Sequence, residues 1–116
     1  MKRQQAERGG RRAERLAAWW LRLKGWRILA IRARTPVGEV DLVARRGRTL
    51  AFIEVKARAS EAEAAIALDD YRLRRVARAA EALAARYMRE GDIVRIDAMF
   101  VMPWRLPRHL PDVHRG

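Results

Sequence analysis

The chain has no cysteine. Disulfides, iron–sulfur clusters and thiolate zinc sites are therefore excluded, and any metal must sit on oxygen or imidazole ligands. Long apolar runs are missing too. The longest are short and broken by arginine, so no segment is expected to span a bilayer and no membrane partner is expected. The N-terminus is basic with no apolar stretch behind it, which argues against a secretory signal and leaves the cytoplasm as the default compartment. Lysine is scarce: of 26 basic residues only Lys2, Lys24 and Lys56 are lysine, and the rest are arginine. Acid is also short, with 14 acidic residues leaving a net charge of +12.

What is present fits one domain. The chain has 116 residues, half of them apolar and a third charged, within the range of a single folded unit. An arginine-rich composition alone would explain many of the cations but not the imbalance with acids. Such an excess attracts polyanions, and nucleic acid is the commonest of these. A membrane surface would instead call for a basic amphipathic helix with a bulky apolar face.

Residues 1–9 are polar and basic and are expected to be poorly ordered, with a single domain over 10–116 and a proline-rich tail from about 103. From Gly10, Ala13, Leu16, Ala17, Trp20 and Leu23 recur at helical steps up to Gly25, a C-cap glycine. Glu14 lies off the centre of that stripe. Three alternating segments follow, Ile28 to Arg34, Gly38 to Ala44 and Leu50 to Ala57, the last two joined by a short glycine-containing connection. Ser60 to Met88 reads as helical, with Ser60 and Glu63 at capping-box spacing and Asp69 or Asp70 as alternative starts. Its stripe is Leu73, Val76, Ala80, Leu83 and Tyr87. A last strand runs from Ile93 to Met102, and Pro103, Pro107 and Pro111 argue against regular structure beyond it. This order predicts an α/β domain with a mixed sheet flanked by helices.

The chemistry concentrates on the second and third strands. Glu39 and Asp41 share one side-chain parity, as do Phe52, Glu54 and Lys56. A turn centred on Arg46-Gly47 would set Asp41 opposite Phe52, whereas a slip by two sets it opposite Glu54. Either keeps both carboxylates on one face. Converging carboxylates repel unless a cation lies among them, and oxygen-only ligands favour Mg2+ or Mn2+. Such an ion serves phosphodiester hydrolysis, and Lys56 would present an ammonium to the attacking water or to charge developing on phosphorus. The ordinary alternative is a cross-strand ion pair on a solvated sheet face. Against it, Glu54 and Lys56 interleave with Phe52, Ile53 and Val55 in a strand expected to be central, where unpaired charge is costly.

Gly10-Arg-Arg-Ala-Glu14, Gly38-Glu-Val-Asp41-Leu42-Val43, Phe52-Ile-Glu54-Val-Lys56-Ala-Arg58 and Arg95-Ile-Asp97 resemble the YraN family of uncharacterised bacterial proteins. So does the tail from Pro103-Trp104 to His109. That family is similar to archaeal Holliday junction resolvases and to PD-(D/E)xK, restriction-endonuclease-like nucleases. The resemblance implies a restriction-endonuclease-like core, a central mixed sheet flanked by helices. It implies a site of Glu14, Asp41, Glu54 and Lys56, with the three carboxylates as metal ligands; Glu14 enters on the resemblance alone. It also implies a Mg2+-dependent endonuclease on structured or branched DNA, with a homodimer as its assembly. The family often has Asn where this chain has Arg32, and Lys or Gln where it has Tyr71 and Arg72.

DNA is expected over RNA as partner, with Arg45, Arg46, Arg48, Arg72 and Arg75 as candidate phosphate contacts. The alternative is a non-catalytic nucleic-acid-binding module that keeps the nuclease fold. Trp19, Trp20 and Trp26 are expected in the core rather than on bases, and Trp104 nearer an interface. His109 and His114 are expected to be solvated or partner-facing. Arg95 and Asp97 share a parity and are expected to pair structurally.

Overall fold

Gly47 sets the central hairpin. In the computed structural model it takes φ 60°, a left-handed value that glycine adopts without strain, and Gly47-Arg48 form a two-residue turn between Arg46 and Thr49. The structure describes residues 2–65 and 70–114, the side chains of 2–9, 61, 65 and 70–72 excepted. Strand β2 (Gly38–Arg46) thereby pairs antiparallel with β3 (Thr49–Ala57). β1 (Arg27–Thr35) lies outside β2, and β3 pairs in parallel with β4 (Ile93–Val101). A parallel pair needs a crossover, supplied by the segment that carries α2 (Glu61–Ala65) and α3 (Asp70–Tyr87). β5 (Arg108–Leu110) closes a mixed five-stranded sheet of order β1-β2-β3-β4-β5.

Each face of the sheet buries one helix. Leu73, Val76, Ala79, Ala80 and Leu83 of α3 pack on Val40, Val43, Leu50, Phe52 and Ile96, and Tyr87 joins them partly buried, as the spacing predicts. Each large apolar side chain removed from water there contributes about 1.5–3 kcal/mol. α1 (Lys2–Leu23) covers the other face through Ala17, Ala18 and Leu21 on Leu42, Ala44, Ala51, Ile53 and Met99. No helix among the described residues is long and apolar enough to cross a membrane.

Several elements depart from expectation. α1 begins at Lys2 rather than Gly10; the stretch upstream is rich in residues that tolerate helix, such as Gln4, Gln5 and Ala6. Its buried stripe is Ala13, Glu14, Ala17, Ala18 and Leu21, while Leu16, Trp19 and Leu23 are exposed. Small alanines let the helix approach the sheet closely, and the bulky residues are left on its flank. The expected single helix from Ser60 is α2 and then α3, whose first residue is Asp70; Asp69 lies outside the described residues. The tail holds the short strand β5, which fits between Pro107 and Pro111 because neither proline has to donate to the ladder.

Candidate active site

The ladder between β2 and β3 ends at Leu42–Ile53. One step further along that register stand Asp41 and Glu54, the second of the two registers expected. Beyond this point β2 stays with β1 as far as Thr35–Gly38, and β3 stays with β4 as far as Ala57–Val101. The sheet therefore forks, with Asp41 and Glu54 at the apex. The Asp41 carboxylate takes over from the missing ladder: the Val55 N–H donates to its Oδ2 at 2.8 Å.

Strict alternation breaks at the same place. Val40 and Val43 both belong to the α3 core, as Ala30 and Ala33 do on β1, although each pair is an odd number of residues apart. Both strands take the step together, with Arg32 in a left-handed conformation at φ 57°. The carboxylates are thus not spread on one flat face, as simple parity suggests. Glu54 opens toward α3, in a groove of about 260 Å³ lined also by Gly38, Glu39, Arg75 and Val76. Gly38 suits the place by its backbone, at φ 153°; an added Cβ would lie in ordinary contact with the Arg75 carbonyl oxygen at 3.5 Å. Glu14 reaches in from α1, 6% exposed, beside a groove of about 620 Å³ with Arg11, Arg12, Arg15, Ile31 and Arg32.

Asp41 responds to all of these groups. Its carboxyl is raised to about 6: burial pushes it up most, the Val55 N–H opposes this, Glu14 and Glu54 add to the rise, and Lys56 lowers it. Lys56 is buried, with Nζ 2.5 Å from Glu54 Oε1. Arg32 donates from Nε to Glu14 Oε1 at 2.6 Å, and that bond is the main reason its guanidinium pKa is raised. Arg32 stands in the sequence as a departure from the family, and no spacing foretells its pairing with Glu14.

Glu14, Asp41 and Glu54 are oxygen donors of the kind a hard divalent cation takes, and Asp41 is raised by burial and by its acidic neighbours. As positioned, no three His, Asp or Glu side chains among the described residues converge closely enough to hold an ion. Arg32 and Lys56 supply the compensating positive charge instead. Glu39 stands aside, exposed and loosely paired with Arg34 at 3.6 Å.

The candidate phosphate contacts divide. Arg45 is buried, donating from Nη1 and Nη2 to Asp92 at 2.8 and 2.7 Å and to the Tyr87 carbonyl at 2.9 Å. That fork pairing is internal and takes Arg45 out of reach of a ligand. It also holds the Asp92 carboxyl down to about 2. Arg46 is exposed and lies 4.8 Å over the Trp26 ring. Arg48 and Arg75 are exposed, and the Arg72 side chain lies outside the described residues.

Among the other residues, Trp26 is core, Trp20 half-buried and Trp19 exposed. Arg95 pairs with Asp97 as expected, Nε to Oδ1 at 3.0 Å and Nη2 to Oδ2 at 2.8 Å. His109, expected to be solvated or partner-facing, stands half-buried with Nε2 2.7 Å from Asp97 Oδ2. Strand β5 carries it there, edge-on to Trp26 at 5.8 Å.

Residues 13–101 match the model of the family described as uncharacterised protein family UPF0102, a span that includes Glu14, Asp41, Glu54 and Lys56. The chain is similar to a UPF0102 protein of Sphingopyxis alaskensis, 66% identical over 113 residues and covering 97% of each chain. It is similar to one of Rhizorhabdus wittichii, 62% identical over 115 residues, which covers 99% of this chain and 98% of that one. A third, of Paramagnetospirillum magneticum, is 50% identical over 117 residues, covering 97% and 91%.

Proposed function

The chain belongs to the uncharacterised protein family UPF0102, and we propose that it is a divalent-cation-dependent endonuclease hydrolysing phosphodiester bonds in structured or branched DNA. The observation that carries the reading is the Asp41 carboxyl, half-buried at a fork in the sheet and fixed there by the Val55 N–H, with burial first and then Glu14 and Glu54 raising it. Glu14, Asp41 and Glu54 would hold Mg2+ or Mn2+, and the ion when bound supplies Lewis acidity to a phosphoryl oxygen.

The chain's own residues do the rest. Asp41 is fixed by the Val55 amide, so its free oxygen is oriented before any ligand arrives. Lys56 keeps a compact ammonium beside Glu54, where it can orient a water or steady negative charge developing on phosphorus. Arg75, in the groove with Glu54, offers a guanidinium to a neighbouring phosphate.

One observation favours the second reading, a nucleic-acid-binding module without catalysis: Glu14 and Glu54 are already paired with Arg32 and Lys56. A cleavage panel separates the two. Duplex, single-stranded, flap and four-way-junction substrates are incubated with Mg2+, Mn2+ or EDTA, using the parent, Glu54→Gln and Lys56→Met. The endonuclease reading expects metal-dependent product from the parent and a loss of roughly a hundredfold or more in the variants. Because each variant leaves a charge behind, unfolding is measured alongside. Undiminished cleavage by a folded variant, or no product from the parent on any substrate, sinks it.

A further inference from the structure

The rotation of α1 that buries Glu14 leaves Leu16 and Trp19 facing outward, Trp19 48% exposed. Facing them, the turn between β4 and β5 carries Trp104, fully exposed and at φ 62°. A bulky aromatic in the left-handed region is an outlier, and strain of this kind gathers at binding sites. Between the two indoles runs a groove of about 850 Å³ that is mostly apolar and bordered by Arg12 and Arg58. Its one acid, Glu63, is engaged with the Ala59 N–H at 2.9 Å. Arg58 is held over the strand end, its Nη1 donating to the Ala57 carbonyl at 2.6 Å.

The groove continues the site at the fork. Ala57 and Arg58 follow Lys56 directly, Ala13 precedes Glu14, and Arg12 borders both this groove and the one beside Glu14. We propose that it seats unpaired bases of a nucleic-acid strand, stacked on Trp104 and Trp19, with the strand's phosphates on Arg12 and Arg58. The proposal rests on the reading above for the class of ligand, and adds that the substrate has a single-stranded segment beside the bond to be cut. Every base offers a face to an indole, so such stacking is strong without being sequence-specific. A second copy of the chain is the weaker occupant, because it would bring Arg12 and Arg58 of a +12 chain against their like.

The test measures binding without metal, so it does not depend on cleavage. A labelled oligothymidylate and a blunt closed duplex are titrated by anisotropy in EDTA against the parent, Trp104→Ala, Trp19→Ala and Trp104→Phe. Each alanine variant should bind the oligothymidylate roughly five- to a hundredfold more weakly, with little change on the blunt duplex, and Trp104→Phe should retain most of the affinity. Trp104 makes no core contact, so loss of fold cannot explain its effect. Equal losses on both probes, no loss on either, or self-association abolished by Trp104→Ala overturns the proposal. A parent that cleaves but binds both probes alike removes the groove and leaves the endonuclease. One that shows the tryptophan-dependent preference but never cleaves removes the endonuclease and leaves the groove.

Discussion

Arg32 closes on Glu14, Nε to Oε1 at 2.6 Å, from a backbone position at φ 57°. Two costs meet in this residue: a side chain with a Cβ is disfavoured in the left-handed region, and the guanidinium is committed to a buried acceptor. Asn tolerates that backbone better but brings no charge. Arg32→Asn is expected to lower stability in EDTA by about 1–3 kcal/mol, because Glu14 loses its donor. It is then expected to gain more from Mg2+ than the parent, since no guanidinium competes for Glu14. Thermal unfolding with and without Mg2+ reads both effects, and equal Mg2+ responses would take Glu14 out of the metal set.

Asp41 predicts a pH dependence. Burial, with Glu14 and Glu54 behind it, raises its carboxyl from 3.8 to about 6 against the Val55 amide and Lys56. The folded chain therefore binds this proton more tightly than the unfolded chain. The resulting stability is fully present below 3.8 and is lost as pH rises through about 6. In EDTA, stability should fall by up to about 3 kcal/mol between pH about 4 and about 7. Asp41→Asn should remove that fall, be the more stable protein at neutral pH, and lose the response to Mg2+. Denaturant unfolding across this range checks it, and a parent-like slope in the variant would refute the assignment.

How much of this was legible follows from what alternation and spacing encode. Asp41 and Glu54 were legible because either expected register brings them together, and the observed one differs from the first by an even step. Glu14 was hidden. Its stripe is built from Ala13, Ala17 and Ala18, whose small side chains carry less signal than Leu16, Trp20 and Leu23, of which Leu16 and Leu23 are exposed. Arg45, Arg46 and Arg48 look alike around one glycine, and only Asp92, 47 positions away, distinguishes the buried one. Parity also could not foresee the three-residue step at the fork, because the paired strands absorb it together and keep their register.

Asp97 ties the tail to the sheet. Burial alone would push its carboxyl up, but bonds from His109, Arg95 and the Asp112 amide outweigh this and hold it below the usual range. Its contribution is therefore present above the unfolded value and is lost as pH falls through the folded one. Asp97→Asn takes from Arg95 the carboxylate it is bonded to, leaving only the Asp112 charge nearby, and should cost about 3 kcal/mol at neutral pH. His109 stands against Trp26, so release of β5 should appear as a change in tryptophan emission before global unfolding. Unaltered emission and stability would show that the cluster holds nothing together.

The hairpin arginines offer the last test. If Arg45 is structural, Arg45→Ala lowers the melting temperature yet leaves the salt dependence of DNA binding unchanged, because no phosphate contact is lost. Arg46, Arg48 and Arg75 are exposed, and Arg75 shares a groove with Glu54. Where such a residue meets a phosphate, its alanine variant should keep the melting temperature and reduce the slope of log K against log salt by about one. Arg46 carries an added condition, since its guanidinium already lies over Trp26, and binding DNA must either keep that contact or give it up. Its alanine variant should therefore show the smallest change of the three. A reduced slope for Arg45→Ala, with unaltered melting, would reverse the assignment and return that residue to the DNA surface.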